Sequence, residues 1–291
     1  MLGLGLSLTL DDFRRVAERP RAVVIGLFCQ VILLPAACYF IARGFGLNGT
    51  LAVGLMLLAA SPGGASANLF SHLARGDVAL NITLTAVNSV LTAVTLPVVV
   101  GLSLAAFLGE DRTINLGFTK VLNVVAVVLV PVALGMLVRA RREALARRLD
   151  RPVRFVSVAF LLIGIVGAMV KERATLPGYF QQVGAAALAF NLISLGVGYF
   201  VPRLFRLDRR AAIAIGMEVG VHNGMLAITI ASSPMMLGNA QMAVPAAIYG
   251  VIAFFTAAGF GYAMSRLSSP DAPGDGDETS DEASPLAPEG G

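Results

Sequence analysis

The stretch AAIAIGMEVGVHNGMLAITIASSP, residues 211–234, is long and apolar enough to cross a bilayer, yet it carries polar side chains at its centre. Glu218, His222 and Asn223 lie near its middle, and Gly220 is a candidate point at which the helix breaks. A carboxylate at mid-membrane costs about 2.5–3.5 kcal/mol on insertion scales, so intramembrane acids mark ion or substrate pathways. The stretch therefore predicts a membrane helix that is interrupted at a functional site.

A second stretch of the same kind, LAVGLMLLAASPGGASANLFSHLA, occupies residues 51–74. Its break is predicted at Pro62, Gly63 and Gly64, and Asn68 follows shortly after. Two apolar spans interrupted in this way are typical of the central binding site of a secondary transporter. The loops before the two spans fall on opposite sides of the predicted membrane, which indicates inverted repeats.

The composition places the whole chain in the membrane. Hydrophobic residues make up 56% of it and charged residues 14%, against about 25% charged residues in a soluble domain. We therefore predict an all-α, polytopic membrane helical bundle and no nucleic-acid partner. Its apolar runs lie at residues 22–43, 51–74, 78–108, 118–138, 154–170, 178–202, 211–234 and 242–265.

The basic residues set the predicted orientation. Most of the 22 lysines and arginines lie in alternate loops, and the positive-inside rule puts those loops and the C-terminus in the cytoplasm. The expected location is the cell (inner) membrane, in contact with the lipid bilayer. Residues 267–291 are rich in Pro, Gly, Ser and acidic residues and are predicted to form a disordered, acidic cytoplasmic tail.

The polar residues within the spans point to cation binding. Asn81 and Thr85 are four residues apart and share a helix face, so together with Glu218 they offer neutral oxygens and one carboxylate to a hard cation such as sodium. The alternatives are a neutral, hydrogen-bonded carboxyl group and ordinary hydrogen bonds between helices. His222 could hold a proton, bind substrate or orient Glu218, and the role of Gln30 is open on the residues alone.

Enzyme chemistry is not expected. The chain has no nucleophile–base motif, no HExxH and no phosphate-binding loop. Only one acid lies deep in a predicted span, so a paired-acid mechanism has no second member. We predict a protein that is not an enzyme and has no organic cofactor or metal beyond a coupling ion.

Two segments carry a resemblance to a known family. SPGGASANLFSHLARGDVALNITLTAVNSVL, residues 61–91, and MEVGVHNG, residues 217–224, resemble the bile acid:sodium symporter family. The resemblance runs from Met1 to about Arg266 and implies a panel domain joined to a core domain in which two broken helices cross. It also implies sodium sites behind the crossing and an organic anion in front of it.

The resemblance also sets the expected domain limits. It implies a transporter unit over residues 1–266, with the core at about 51–138 and 178–265 and panel helices at about 1–43 and 154–170. Members of the family have ten spans, whereas residues 1–10 match the end of the second span. The first span and part of the second are therefore expected to be missing from this sequence.

The family's ligands carry over residue by residue. The first sodium site would use Asn68, Asn81, Thr85 and Glu218. The second would use Glu218, Gln30, His222 and the carbonyl groups of Val219 and Val221. Asn223 and Ala65 would contact substrate at the crossing, where Pro62, Gly63, Gly64 and Gly220 break the helices.

Two positions depart from the family pattern. Ala67 stands where the family has a serine, so the first site loses a hydroxyl ligand. His222 stands where the family has a glutamine, and a neutral imidazole is a poor sodium ligand because sodium prefers oxygen. We therefore expect the second site to be weakened or replaced by a protonation step.

The resulting expectation is a symporter that carries a small organic anion, such as a bile acid, keto acid or pantoate-like acid, by alternating access coupled to sodium. A proton-coupled variant and an N-terminally truncated, inactive or regulatory membrane protein are the alternatives. An arsenite-type efflux permease is a further one, but the cysteine that it would need at the crossing is absent.

Overall fold

The computed structural model describes residues 5–6, 8–47, 49–109, 118–146, 148–149, 152, 156 and 176–267. In chain order the α-helices are α1 (Leu10–Glu18), α2 (Pro20–Phe28), α3 (Leu34–Gly44), α4 (Gly49–Ala59), α5 (Ala65–Leu73), α6 (Val78–Leu108), α7 (Phe118–Arg141), α8 (Leu176–Leu204), α9 (Arg209–Gly220), α10 (Gly224–Ser232) and α11 (Val244–Arg266). No strand is formed by these residues. The prediction of an all-α protein is confirmed.

Several helices are long and apolar enough to cross a membrane. Within the described parts of the chain they are Pro20–Gly44, Val78–Leu108, Pro177–Leu204 and Ala240–Arg266. Their outer faces carry exposed large apolar side chains, among them Val94, Leu102, Phe254 and Phe255. Such a surface is stable against lipid and not against water, as expected of a multi-pass membrane protein.

The first of these spans contains a local irregularity. Between α2 and α3, residues Cys29–Leu33 form a π-helical turn without interrupting the span. One-turn π-bulges of this kind occur frequently at functional sites, because they turn side chains away from their regular positions. Here the turn contains Gln30, whose role is open on the residues alone and which the family resemblance assigns to the second sodium site.

Both predicted breaks are present. The first apolar stretch divides into α4 and α5, with residues 60–64 outside regular helix, and the second divides into α9 and α10 at residues 221–223. Asp208 caps the start of α9 by accepting from the Ala211 N–H at 2.8 Å, and Asn223 caps α10 by accepting from the Leu226 N–H at 3.0 Å. Asp208 is exposed at the surface end of α9, whereas Asn223 lies at the second break. The Asn223 cap gives a partner to one of the N–H groups with which α10 begins inside the protein.

The broken helices form the centre of the molecule. Every residue of α4 from Leu51 onward and every residue of α9 from Ala211 onward is buried. Around them lie α2, α3, α6, α8 and α11. The break regions are therefore surrounded by protein, an environment in which irregular backbone is tolerated at membrane depth.

Two parts of the predicted architecture cannot be compared with the structure. Residues 157–175 and 268–291, which hold most of the predicted 154–170 span and nearly all of the acidic tail, lie outside the described residues. The division into panel and core domains stays a prediction.

Candidate functional site

The two breaks meet and hydrogen-bond to each other. The Gly64 N–H donates to the Val221 carbonyl at 2.7 Å, and the Asn223 N–H donates to the Pro62 carbonyl at 2.8 Å. Gly63 and His222 thereby pair as a short antiparallel bridge. Each break thereby supplies a hydrogen-bond partner for a backbone group that the other has freed by leaving the helix.

Glu218 lies directly beside this bridge. Its side chain is fully buried, and its Oε2 accepts from the Thr85 hydroxyl at 2.6 Å. Its Oε1 accepts from the Gly63 N–H and from the Asn88 Nδ2, both at 3.2 Å. None of the ion pairs formed by the described residues includes Glu218. Because a buried charge without a counter-charge is costly, this arrangement requires a cation or a proton.

Glycine is required at position 63 because the backbone there lies very close to the Glu218 carboxylate. A Cβ atom at position 63 would overlap the Glu218 carboxylate. The absence of a side chain lets the backbone N–H reach the carboxylate oxygen directly. The first break therefore contributes to the site through its backbone.

One face of α6 supplies the side-chain contacts. Asn81, Thr85 and Asn88 follow one another at spacings of four and three residues, which keeps them on one side of the helix. The Asn81 Nδ2 donates to the Ala214 carbonyl at 2.7 Å, one turn before Glu218 on α9. This polar face of α6 therefore packs along the half-helix that carries the carboxylate.

Several amide oxygens around the breaks are buried without a hydrogen-bond partner. They are Gln30 Oε1, Asn68 Oδ1, Asn81 Oδ1 and Asn88 Oδ1. An unsatisfied buried acceptor costs about 1–3 kcal/mol, so an ion, a water molecule or another ligand is expected to complete these four oxygens. Neutral oxygens of this kind bind hard cations such as sodium. Among the described residues, no three His, Cys, Asp or Glu side chains come together as they would for a transition metal.

The amide of Gln30 stabilises the first break. Its Nε2 donates to the Ala59 carbonyl at 3.2 Å and to the Ser61 carbonyl at 3.0 Å. A flipped amide would set its oxygen against those two carbonyl oxygens, so the orientation is determined by the network. The Gln30 oxygen is consequently turned away from both carbonyls.

The second break is stabilised in a similar way. The Gly220 carbonyl, at the end of α9, accepts from the Asn191 Nδ2 at 2.9 Å and from the Tyr249 hydroxyl at 2.8 Å. The oxygen of Asn191 accepts in turn from the Thr256 hydroxyl. The Gly220 carbonyl and the Asn191 oxygen thus both have hydrogen-bond partners within the protein.

His222 is held by the first break and not by Glu218. Its Nδ1 lies 3.2 Å from the Ser61 carbonyl, and because a carbonyl only accepts, that nitrogen carries the hydrogen. Its ring stacks on Phe190, with centroids 5.3 Å apart and an interplanar angle of 11°. Since α9 ends at Gly220, the four-residue spacing from Glu218 is not a helical turn. No hydrogen bond joins the two side chains in the described structure.

The remaining predicted positions lie at the crossing. The Val221 carbonyl is engaged by the Gly64 N–H, and Val219 is buried on α9. Asn68 lies on α5, which begins at Ala65, and α10 begins directly after Asn223. The positive N-terminal ends of both half-helices therefore lie next to the bridge.

Sequence reasoning missed Asn88, Asn191 and Tyr249. The signal for Asn88 was available, because it extends the face of Asn81 and Thr85 by another turn. Asn191 and Tyr249 gave no such signal, because their partner is a backbone carbonyl that only the folded chain reveals.

The chain is similar to several sodium-dependent transporters and related proteins. It is 28% identical over 258 residues to the "Uncharacterized sodium-dependent transporter YocS" of Bacillus subtilis, covering 86% of this chain and 76% of that protein. It is 28% identical to the "Probable sodium/metabolite cotransporter BASS1, chloroplastic" of rice, covering 86% of this chain and 60% of that protein. It is also 27% identical to the human "P3 protein", covering 78% and 47%. The chain thus spans less than two thirds of the rice and human proteins.

The family comparison covers more than half of the chain. The model of the sodium bile acid symporter family matches residues 1–177, a segment that includes the first break and the polar face of α6. The second break, with Glu218, lies beyond this segment but within the span of the relatives. The chain belongs to the sodium bile acid symporter family.

Proposed function

We propose that this protein is a symporter that couples the transport of a small organic anion to sodium. The observation that carries the proposal is the buried carboxylate of Glu218, which has three neutral donors and no cationic partner among the described residues. Sodium binding would supply the missing positive charge. The unpartnered amide oxygens nearby would complete its coordination shell.

The first sodium site would be formed between α5, α6 and α9. Glu218 and Thr85 are already in contact at 2.6 Å, and Asn81 is fixed beside them with its oxygen free. Asn68 would contribute the oxygen that has no partner on α5. In this site the cation would link the two broken helices, because Glu218 belongs to the second one, Asn68 belongs to the first, and Asn81 and Thr85 lie on the neighbouring α6.

The anion would bind on the other side of the crossing. The N-terminal ends of α5 and α10 carry partial positive charge, which favours a carboxylate or similar group. Asn223, at the start of α10, and Ala65, at the start of α5, are the proposed contacts. Bile acids, keto acids and pantoate-like acids share this anionic group.

Transport would proceed by alternating access in the cell (inner) membrane, with the arginine-rich loops and the C-terminus in the cytoplasm. Sodium would neutralise Glu218 and fix the crossing, which in turn would hold the two half-helix ends in place for the anion. Release of sodium on the other side would loosen both sites.

Sodium-dependent thermal stability of the purified protein tests this proposal. Sodium at about 100 times its Kd should stabilise the folded state by about 2.7 kcal/mol, and potassium at equal ionic strength should not. Glu218→Gln keeps the shape of the side chain but removes its charge and replaces one accepting oxygen with a donating NH2 group, so it should abolish the sodium effect. Retention of the full sodium effect in Glu218→Gln would refute the proposed role.

The substrate class is tested by adding organic acids with and without sodium. We expect a keto acid, a hydroxy acid or a bile acid to raise the melting temperature further only when sodium is present. Stabilisation that is independent of sodium would contradict coupling between the two sites.

A proton-coupled variant is a second candidate, favoured by His222 in place of the family's glutamine. In proteoliposomes without sodium, an inward proton gradient would then drive uptake of the anion. Uptake that follows the sodium gradient alone would eliminate this candidate.

A further inference from the structure

A row of hydrogen bonds runs from the buried carboxylate to the surface of the protein, between α6 and α9. It consists of three contacts, in each of which α6 or its cap donates to α9. They are the Asp77 N–H to the Arg210 carbonyl at 3.0 Å, the Asn81 Nδ2 to the Ala214 carbonyl at 2.7 Å and the Thr85 hydroxyl to Glu218 Oε2 at 2.6 Å. Both helices advance by four residues from one contact to the next, so the row follows one face of each. We call this row of three contacts the seam.

Two acidic side chains cap the helices at the surface end of the seam. Asp77 precedes α6 and accepts from the Leu80 N–H at 3.0 Å, and Asp208 precedes α9 and accepts from the Ala211 N–H at 2.8 Å. The two helices therefore begin side by side, at the end that the charge pattern predicts to be cytoplasmic. The carboxylates stabilise both N-termini, because they lie at the positive ends of the helix dipoles.

Arg19 joins the two caps. It lies between α1 and α2, and its guanidinium group donates to Asp77 Oδ2 at 2.7 Å and lies 3.8 Å from Asp208 Oδ2. Both contacts use the carboxylate oxygen that the helix cap leaves free. The Asp77 side chain is only 17% exposed, so its pair with Arg19 is partly shielded from water, whereas the longer contact with Asp208 is open to solvent and weaker.

A second arginine supports the same arrangement. Arg21, two residues later, donates to the Phe205 carbonyl at 2.7 Å, in the turn before α9. The start of the first span is thus tied to the beginnings of both helices of the seam. Loss of Arg19 alone therefore leaves a connection between the first span and the segment that leads into α9.

We propose that Arg19 is a positioning residue for sodium binding, because it holds the seam in the register that brings Thr85 against Glu218. The inference rests on the proposed sodium coupling and adds a control at the predicted cytoplasmic surface. A slide of α6 along α9 moves all the contacts of the seam together, since both are continuous helices over this length. Because coupling between two sites is reciprocal, sodium at Glu218 in turn strengthens the seam at its Arg19 end. Opening of the Arg19 contacts favours release of sodium.

Sodium titrations of the purified protein by isothermal titration calorimetry test the inference. Arg19→Gln removes the charge that joins the caps and should raise the Kd for sodium about fivefold, at the lower end for coupling between distant sites. Arg19→Lys keeps a positive charge that can pair with Asp77, so it should recover most of the affinity. The titrations are made at constant ionic strength with choline chloride, because salt screens an ion pair at the surface.

A double-mutant cycle separates positioning from a general loss of stability. Asp77→Asn keeps an oxygen that can cap α6 but removes the charge, and should raise the Kd as much as Arg19→Gln does. The double variant should bind sodium no more weakly than either single variant, because both changes break the same contact. Arg14→Gln is the matched control, since Arg14 pairs with Asp11 at 3.2 Å within α1, outside the seam. It should leave the Kd unchanged.

Hydrogen–deuterium exchange tests the reciprocal effect. In the unmodified protein, sodium should slow exchange in peptides that contain the Asp77 N–H, which forms the outermost contact of the seam. Glu218→Gln should lose this response, because its side chain no longer attracts the cation. An exchange rate at Asp77 that ignores sodium in the unmodified protein, although sodium binds, would contradict the coupling.

The outcomes separate this inference from the proposed function. An equal sodium Kd in the unmodified protein and in Arg19→Gln would overturn the positioning role and leave sodium coupling intact. Additive losses in the double variant would also overturn it. Melting temperatures without sodium report whether each variant is folded, and if Arg19→Gln is not, the Kd of Asp77→Asn decides by the same criterion. If the unmodified protein binds no sodium, the proposed function fails and the inference fails with it.

Discussion

The two breaks contribute different chemistry to the crossing. The first, at residues 60–64, contains no ionisable side chain and acts through the Pro62 carbonyl and the N–H groups of Gly63 and Gly64. The second follows Glu218 and contains His222. The carboxylate therefore belongs to one half of the molecule, and much of what surrounds it belongs to the other. The affinity of Glu218 for a cation would therefore depend on the contacts between the two halves.

The side chains that stabilise the breaks differ in the same way. Gln30 and Asn191 each come from the helix that precedes a broken helix, and each donates its amide to carbonyls at that break. Asn191 also accepts from Thr256, whereas the oxygen of Gln30 is unpartnered. One amide is fully used by the protein, and the other has an oxygen left for an ion.

Of the substitutions at the breaks, Gly63→Ala should have the largest effect on stability and on the response to sodium. The added methyl group overlaps the Glu218 carboxylate, which must then leave Thr85 and Asn88. We expect a loss of about 3 kcal/mol in stability, at the upper end for overpacking, and no rise in melting temperature with sodium.

Gly64→Ala is the matched control for this substitution. A Cβ at position 64 lies 3.2 Å from the His222 carbonyl oxygen, which needs only a small shift to accommodate it. Thermal unfolding of both variants with and without sodium makes the comparison. Equal losses of stability and of the sodium effect in the two variants would show that neither depends on the short distance between Gly63 and Glu218.

Gln30→Met and Asn191→Leu should separate ion binding from support of the breaks. Both remove an amide that satisfies a buried carbonyl, and each should cost about 1–3 kcal/mol. Only Gln30→Met removes an unpartnered oxygen, so it alone should raise the sodium concentration needed for half-maximal stabilisation. A shift of the same size in Asn191→Leu would mean that sodium responds to the breaks in general.

His222→Gln should have the smallest effect on stability and the most specific effect on sodium. The substitution supplies an oxygen where the imidazole has a nitrogen, and it introduces the glutamine that the family resemblance implies for this position. We expect tighter sodium binding and a steeper dependence on sodium concentration, measured by isothermal titration calorimetry. If His222→Gln leaves both unchanged and transport already shows cooperativity between two sodium ions, the second site is complete without it.

The sequence was sufficient to predict the breaks because glycine, proline and polar residues inside an apolar span disfavour a continuous helix. It was also sufficient to place Asn81 and Thr85 on one face, since helical periodicity fixes that relation. The direction of the His222 ring could not be predicted, because it depends on α9 ending at Gly220. The roles of Asn191 and Tyr249 depend on a carbonyl about 29 residues away in sequence from each, and such contacts leave no pattern in the chain.

The bridge between the breaks also has a consequence for how the protein is made. Gly63 and Glu218 are 155 residues apart, so the first break enters the membrane long before the segment that completes it has been synthesised. Until then its backbone N–H and carbonyl groups have no partner in the crossing, and contacts this distant in sequence form late. During synthesis, the binding site is therefore expected to be incomplete until the segment that carries Glu218 has entered the membrane. Substitutions at the first break are expected to affect the yield of inserted protein as well as ion binding.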